Sequence, residues 1–190
     1  MKTTLATLVT VLITLTSIAA QDQQTRMWTD AQRLKPARVT SIERIASVSE
    51  PGAPFVVHGT VTDPSGKPLG GVEVFAYHTD NTGLYAPQGA ADPWRLKGWA
   101  VTDAQGRFEF RTIRPAPYPG NQIAAHVHLS FVTGCCGRQW TEVMFDDDPV
   151  ATEAYRQRQG AGILFGKVTR RGDGTQETSY VFKLKSRGDF

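Results

Sequence analysis

The chain has 190 residues, about the length of one domain, and a formal net charge of +3 from 21 basic and 18 acidic side chains. This balance, with no basic run beyond pairs such as Arg170-Arg171, excludes the strongly basic face of a nucleic-acid-binding protein. Eighteen glycines and eleven prolines divide the sequence into short segments, which is typical of an all-β chain with many turns.

The first 20 residues have the pattern of a secretory signal peptide. Lys2 precedes an apolar run that begins at Leu5, and small residues end the run at Ala19-Ala20. The run is short and has no cluster of charge behind it, which argues against a retained membrane anchor. We predict that residues 1–20 are removed and that the mature protein is secreted or periplasmic, with no membrane attachment.

Residues 21–54 are polar with sparse apolar positions, and Pro36 interrupts any helix there. Short helical turns are predicted over residues 31–34 and 42–48. We expect these residues to form an N-terminal arm that wraps the outside of a domain formed by residues 55–190.

Short alternating segments, separated by turn residues, fill the chain from Phe55 onward. Residues 98–113 predict two strands joined as a hairpin around Gly106, and residues 163–185 predict a closing hairpin. Residues 146–159 predict a loop with one or two helical turns. About seven to nine short strands in one domain favour an all-β fold, a mostly antiparallel β-sandwich.

His126 and His128 form an H-x-H pattern within a predicted strand. Side chains alternate between the faces of a strand, so these two imidazoles lie side by side and can share one metal ion. The pattern alone is weak evidence, because two ordinary strand histidines would look the same.

Two tyrosines are candidate oxygen ligands for the same ion. Tyr118 lies between Pro117 and Pro119, which fix the backbone on both sides, and Tyr85 lies in the loop after a strand. Each could instead pack its ring and expose its hydroxyl. Two tyrosinates and two imidazoles suit a hard trivalent ion such as Fe(III), which lowers the pKa of a phenol enough to bind the anion.

The sequence over about residues 55–150 resembles the intradiol ring-cleavage dioxygenases, and is most similar to the core of the protocatechuate dioxygenase subunits. The motifs that carry the resemblance are, in order, GTVTDPSGKPLGGVEVFAYHTDNTGLY, GWAVTDAQGRFEFRTIRPAPYP, HVH and TEVMFDDDP. The resemblance implies a β-sandwich with one non-haem Fe(III), held by Tyr85, Tyr118, His126 and His128. It also implies a catalytic role for Tyr118, as the tyrosinate that the substrate displaces and that takes up a proton.

Two positions depart from the family pattern. Ile123 stands where the family usually has an arginine that stabilises negative charge on the substrate ring, and Glu142 stands where it has a glutamine. The four ligands are therefore retained while the residues around them are altered. Charge stabilisation would have to come from elsewhere, with Arg95, Arg114 and Arg138 as candidates in loops close in sequence.

The resemblance implies an exported Fe(III) dioxygenase that uses O2 to cleave a catechol-type aromatic between its two hydroxyls, giving a muconate-type product. One alternative is another oxidation at the same iron. A second is a non-catalytic binding module, because GTVTDPSGKPLGGVEV alone also resembles the transthyretin-like sandwich modules. The sequence leaves the exact substrate and the oligomeric state open.

The remaining candidates have simpler interpretations. His58 is predicted to be a packed or surface histidine, and His78 to serve in a cap or turn or to line the pocket. Residues 146–148 are predicted to form a charged turn rather than a calcium site. Cys135 and Cys136 are adjacent, so they cannot link distant segments, and a structural or chemically idle role is favoured over a redox role.

Overall fold

The computed structural model describes residues 25–120, 123–134, 137–160 and 163–185. The predictions for residues 1–20 and for Cys135 and Cys136 lie outside the described residues. The chain divides by its contacts into two units, Met1–Lys35 and Pro36–Phe190. The arrangement of the predicted arm around the sandwich stays a prediction.

Helix α1 spans residues 25–32 of the first unit and ends before Pro36, which cannot continue a helix. The predicted helical turn at 31–34 is therefore the end of a longer helix. No helix in the described part of the chain is long and apolar enough to cross a membrane.

In the described residues of the second unit, the strands form two five-stranded sheets. Sheet A has the strand order β1-β5-β2-β10-β9, and sheet B has the order β4-β3-β6-β7-β8. A short helix, α2 (Glu153–Arg158), follows β7. The strands are β1 Ile42–Arg44, β2 Pro54–Thr62, β3 Glu73–His78, β4 Leu96–Val101, β5 Arg107–Ile113, β6 His126–Thr133, β7 Gly137–Phe145, β8 Ile163–Gly166, β9 Thr169–Arg170 and β10 Gln176–Lys183.

The predicted β-sandwich is confirmed, and most of its strand pairs are antiparallel. Within the described residues, the pairs β1–β5, β2–β10 and β7–β8 are parallel. The hairpin of β9 and β10 is confirmed, whereas β8 joins the other sheet.

The predicted hairpin over residues 98–113 is wrong. The turn is tight, since the Asp103 amide donates to the Arg107 carbonyl at 2.9 Å and Gly106 has a φ of 73°. However, β4 pairs with β3 in sheet B, and β5 pairs with β2 in sheet A. The two strands face each other across the core because Ala100 and Phe108 both point inward.

The predicted helical turn at residues 42–48 is also wrong at its start, where β1 pairs with β5. The amide of Glu109 donates to the Ser41 carbonyl at 2.7 Å, and the amide of Ile45 donates to the Arg111 carbonyl at 2.9 Å. The exposed edge of β5 therefore offers this segment better backbone partners than an isolated turn would.

One buried core fills the space between the sheets. In β6, Val127, Leu129 and Phe131 point into this core. Because side chains alternate along a strand, His126 and His128 point to the outer face of sheet B. The candidate site therefore lies outside the main core, on a rigid sheet.

Candidate metal centre

Two loops bring Tyr85 and Tyr118 over the outer face of sheet B. The Tyr85 loop follows β3, and its ends are joined where the Arg95 amide donates to the Tyr85 carbonyl at 3.0 Å. The Tyr118 loop follows β5. Gly83 lets the loops meet: a Cβ there would lie 2.2 Å from the Pro117 carbonyl oxygen, and its φ of +85° also favours glycine.

The four predicted ligands converge on one point. The Tyr85 hydroxyl lies 2.7 Å from His128 Nε2, and the Tyr118 hydroxyl lies 3.0 Å from His126 Nε2. The two Nε2 atoms are 3.1 Å apart, and the two hydroxyls are in contact. Donors about 2 Å from a shared ion lie roughly 3 Å from each other, so this spacing suits one metal ion.

The protons available at the centre also fit a cation. His126 Nδ1 lies 2.8 Å from the Ala124 carbonyl oxygen, and His128 Nδ1 lies 3.2 Å from the Glu142 carboxylate. Both partners are acceptors, so each neutral imidazole carries its proton on Nδ1 and presents a lone pair at Nε2. Four close contacts join the two hydroxyls and the two Nε2 atoms, but only the two phenols have protons to donate to them. The contact between the two Nε2 atoms therefore has no proton. A cation that takes a lone pair from all four atoms removes this deficit.

Burial disfavours charge on these groups in the absence of a cation. It raises the pKa of both tyrosines above the ordinary value, and for Tyr85 the hydrogen bond to Tyr118 adds to the effect. It also lowers the pKa of His128 to about 3, so that this imidazole is neutral. A trivalent cation at the centre favours the phenolate over the phenol, and the neutral imidazoles can bind it directly.

Glu142 is the direct cross-strand partner of His128. Ligand atoms of His126, His128 and Glu142 lie within 4.8 Å of one another, so the carboxylate belongs to the centre. Since it contacts Nδ1 of His128, we interpret it as the group that orients this ring and raises its basicity. The sequence marked Glu142 as unusual but did not predict this contact.

The segment before His126 is held from the side of α2. The Ala125 amide donates to Asp148 at 2.9 Å, and the Ala124 amide donates to the Tyr155 hydroxyl at 3.2 Å. The neighbouring carboxylates also have partners: Asp146 accepts from the Val168 amide, and Asp147 pairs with Arg114. The charged-turn interpretation of residues 146–148 accounts for these contacts.

An aromatic stack supports His128, and sequence analysis missed it. The Tyr77 ring lies between Trp94, at 3.9 Å and 17°, and His128, at 4.5 Å and 10°. Alternation along β3 places Tyr77 on the face opposite Val74 and Ala76. Its stacking partners, however, depend on the fold of the Tyr85 loop.

The candidate arginines are engaged with other groups. Arg114 donates to Asp147 and to Gln176, and Arg95 pairs with Glu50 and lies 3.4 Å from Asp80. The Arg138 guanidinium lies 5.3 Å from the centroid of the Trp140 ring. These contacts do not support the expectation that one of the three replaces the charge missing at Ile123.

The other two histidines have structural surroundings. His78 is fully buried and contacts the Thr79 carbonyl at 2.6 Å and the Thr112 hydroxyl at 2.7 Å. Burial lowers the pKa of His78 to about 4. His58 is partly buried between Glu109 and Glu177, at 3.5 and 3.3 Å. With its side chain 31% exposed, His58 fits the surface alternative of its prediction. His78 links two strands rather than lining the pocket.

The fold and these four side chains are those of a dioxygenase, and similarity to known proteins supports this class. The sequence model of the dioxygenase family matches residues 33–188, so the chain belongs to this family. The resemblance to the intradiol ring-cleavage enzymes is thereby confirmed at the level of the family. A catechol 1,2-dioxygenase of Acinetobacter lwoffii is 32% identical over 148 residues, which are 66% of this chain and 46% of the relative.

Other relatives agree with this assignment. The protocatechuate 3,4-dioxygenase beta chain of Burkholderia cepacia is 35% identical over 111 residues, 52% of this chain and 47% of its own. The chain thus spans about half the length of these curated relatives. The solved dioxygenase domain of a dioxygenase–carbohydrate-binding fusion protein from Streptomyces sp. SirexAA-E matches with a TM-score of 0.61 and 27% identity, over 80% of this chain and 92% of that one.

Proposed function

We propose that this protein is a non-haem Fe(III) dioxygenase that uses O2 to open a catechol-type ring between its two hydroxyls, giving a muconate-type product. The convergence of Tyr85, Tyr118, His126 and His128 on one point carries the proposal. Membership of the dioxygenase family supports it. When bound, Fe(III) supplies a Lewis acid that holds the catechol oxygens and draws electron density from the ring, so that the ring reacts with O2.

The two histidines supply a rigid floor for the site. His126 is held through its Nδ1 contact with the Ala124 carbonyl, and His128 through its contact with Glu142 and its stack on Tyr77. These contacts leave both Nε2 atoms directed at the same point. The floor therefore needs little reorganisation when substrate binds.

Tyr118 is the group we assign to proton transfer. A catechol that binds as a dianion gives up two hydroxyl protons. With Fe(III) bound, the Tyr118 phenolate would take up one of them at its hydroxyl oxygen, and the other would pass to solvent. Burial raises the pKa of the Tyr118 phenol, so the displaced side chain keeps that proton firmly. Tyr85 packs against Tyr77 at 5.7 Å between ring centroids, and we assign it the role of the ligand that stays.

A buried aromatic wall limits water on one side of the site. Tyr77 and Trp94 are 3% and 4% exposed, and Lys97 holds the Trp94 carbonyl at 3.0 Å and contacts Asp92. Exclusion of water on this side strengthens the electrostatic interactions at the centre.

A second candidate function is a different oxidation at the same iron. One observation favours it. Arg95 and Arg114 are bound to acidic and amide side chains, while Glu142 adds a negative charge beside His128. Such a centre gives less stabilisation to the negative charge that develops on a catechol ring.

The proposal is tested by the iron content, colour and oxygen uptake of the purified protein. We expect about one iron per chain, a tyrosinate-to-Fe(III) charge-transfer colour, and oxygen uptake with a catechol that yields a muconate-type diacid. His126→Ala and His128→Ala remove most of the iron, and Tyr118→Phe shifts the colour. His58→Ala is the matched control, because His58 lies on sheet A away from the centre, and it keeps the iron.

Two results would contradict the proposal in different ways. Full iron content in both His→Ala variants rejects the ligand assignment. An iron-loaded wild-type protein that consumes no oxygen with any catechol rejects ring cleavage and favours the second candidate function.

A further inference from the structure

The two sides of the metal centre differ in their exposure. On the β3 side, Tyr77 and Trp94 are 3% and 4% exposed and close the outer face of sheet B. On the β7 side, the Glu142 side chain is 36% exposed. A substituent on a ring held at the centre therefore has more room on the β7 side, beside Glu142, than against the aromatic wall.

The Glu142 carboxylate has no cation among its adjacent neighbours on this face of the sheet. Its cross-strand partners are His128 on β6 and Ile163 on β8. The residues two positions before and after it on β7 are Trp140 and Met144. None of these four is a lysine or an arginine, so no adjacent side chain on this face neutralises the carboxylate.

The arginines of the surrounding segments contact other groups. Arg95 and Arg114 each pair with carboxylates. Arg138 is four residues before Glu142 on β7, and its guanidinium lies 5.3 Å from the centroid of the Trp140 ring. The charge that lies directly beside the histidine ligands is therefore the negative charge of Glu142.

The carboxylate lies close enough to the ligands to act on a bound substrate. Ligand atoms of Glu142, His126 and His128 lie within 4.8 Å of one another. Burial is the main cause of the raised pKa of Tyr85 and Tyr118, and the charge of Glu142 adds to it in both. A charged group on a catechol held at the same point interacts with this carboxylate in the same way. Two unit charges roughly 7 Å apart near a protein surface change binding by about 3- to 30-fold.

We propose that Glu142 selects the substrate by charge, so that the site prefers catechols whose ring substituent carries an ammonium group over neutral catechols, and disfavours those that carry a carboxylate. The inference rests on the proposed function and names its substrate class. Ile123, which stands where the family pattern has an arginine, brings no positive charge to oppose Glu142.

The test compares three catechols of similar size that differ in charge, namely dopamine, 4-ethylcatechol and 3,4-dihydroxyphenylacetate. At neutral pH their substituents are cationic, neutral and anionic. Dissociation constants are measured without oxygen from the change in the charge-transfer band of the iron-loaded protein, and oxygen uptake is measured separately. We expect wild type to bind the amine most tightly and the acid most weakly, with about 3- to 30-fold between one compound and the next.

Glu142→Gln keeps the size of the side chain and removes its charge, so this order should disappear. The ratios of the dissociation constants are compared, because all three compounds bind the same iron and an effect of the substitution on the metal itself cancels. Glu153→Gln, which removes a carboxylate on α2, should keep the order of wild type. Salt at about 1 M should reduce the differences in wild type, because it screens charges but leaves the shape of the site unchanged.

The outcomes separate this inference from the proposed function. Cleavage of catechol by wild type overturns charge selection and leaves the dioxygenase intact if the three compounds bind equally, or if their order persists in Glu142→Gln or is insensitive to salt. An order that depends on Glu142 and on salt, without oxygen uptake on any catechol, supports charge selection and rejects ring cleavage. No binding of any of the three by iron-loaded wild type overturns both.

Discussion

Glu142 gives the two histidine ligands unequal surroundings. His128 faces a carboxylate at 3.2 Å, whereas His126 faces the neutral Ala124 carbonyl at 2.8 Å. A carboxylate behind an imidazole makes it a stronger donor to a metal. The centre is thus more electron-rich than one whose histidines contact only neutral groups, which favours Fe(III) over Fe(II).

Replacing Glu142 by Gln tests this charge effect. The amide keeps the size of the side chain and removes its negative charge, so an iron ion bound at the proposed centre would become more electron-poor. We expect the charge-transfer band to move to longer wavelength, the Fe(III)/Fe(II) reduction potential to rise, and iron affinity to fall by roughly 10- to 100-fold. Absorption spectroscopy, a redox titration and chelator competition measure the three quantities.

Glu153→Gln is the control for this prediction, because Glu153 lies at the start of α2 and contacts Gln157. It should leave the band, the potential and the affinity unchanged. An unaltered spectrum and potential in Glu142→Gln would show that the carboxylate has no influence on the metal.

The candidate ligands were predictable because short sequence patterns indicate them. The H-x-H spacing needs only a strand, and the prolines around Tyr118 fix its loop without help from the rest of the chain. The contacts that orient the ligands were not predictable in this way. The stack of Trp94 on Tyr77 depends on how a long loop returns to the sheet, which no local spacing reports.

The short helix α2 supports the segment between β5 and β6, which leads into the ligand His126. α2 is capped by the side chain of Thr152, which accepts from the Tyr155 amide, and it carries the buried Tyr155 ring. The Tyr155 hydroxyl accepts from the Ala124 amide two residues before His126. Helix α2 therefore positions a ligand that belongs to a different element.

Tyr155→Phe should weaken both the fold and the centre. It leaves the buried Ala124 amide without its acceptor, at a cost of about 1–3 kcal/mol in the free energy of unfolding. We also expect faster iron release, because the segment that leads into His126 loses one of its two side-chain anchors. Denaturant unfolding of the iron-free protein and iron release to a chelator are the measurements.

Thr102→Val separates the two effects. The Thr102 hydroxyl accepts from the Val72 amide at 2.9 Å, a comparable buried hydrogen bond between the residue after β4 and the residue before β3. This variant should lose stability but release iron at the wild-type rate. Equal rates of iron release in wild type and Tyr155→Phe would contradict a positioning role for α2.

Strand locations were mostly predictable from alternation, but strand partners were not. The turn at Asp103 has the residues of a hairpin, yet its two strands enter different sheets. Turn chemistry fixes only the local reversal of the chain, whereas the choice of neighbour depends on which apolar faces meet across the core. The same limit applies to β1, whose partner β5 lies more than sixty positions along the chain.

His78 links the two sheets and gives the whole molecule a pH dependence. It lies on β3 of sheet B, and its Nε2 contacts the hydroxyl of Thr112 on β5 of sheet A. Burial lowers the pKa of His78 to about 4, against 6.5 for an ordinary histidine. Between these pH values His78 is protonated in the unfolded chain but not in the folded chain, so the free energy of unfolding falls as the pH decreases.

The expected loss from this one group is about 2–3 kcal/mol between pH 7 and pH 4.5. Urea unfolding of the iron-free protein at the two pH values measures it. His78→Gln keeps a polar group opposite Thr112 but does not titrate, so it should be less stable than wild type at pH 7 and lose less stability on acidification. Identical losses in wild type and His78→Gln would show that His78 does not titrate differently in the two states.

The parallel pairing of β2 with β10 has a consequence for the order in which the molecule is built. Phe55 lies opposite Gln176 and Thr62 opposite Lys183, so a strand from near the end of the chain occupies an interior position of sheet A. During synthesis, β2 leaves the ribosome long before β10 has been made. The valines of β2 that are buried in the folded protein stay exposed until then. Long-range parallel pairing of this kind closes slowly. The nascent chain therefore has a prolonged interval in which it depends on chaperones or on rapid completion to avoid aggregation.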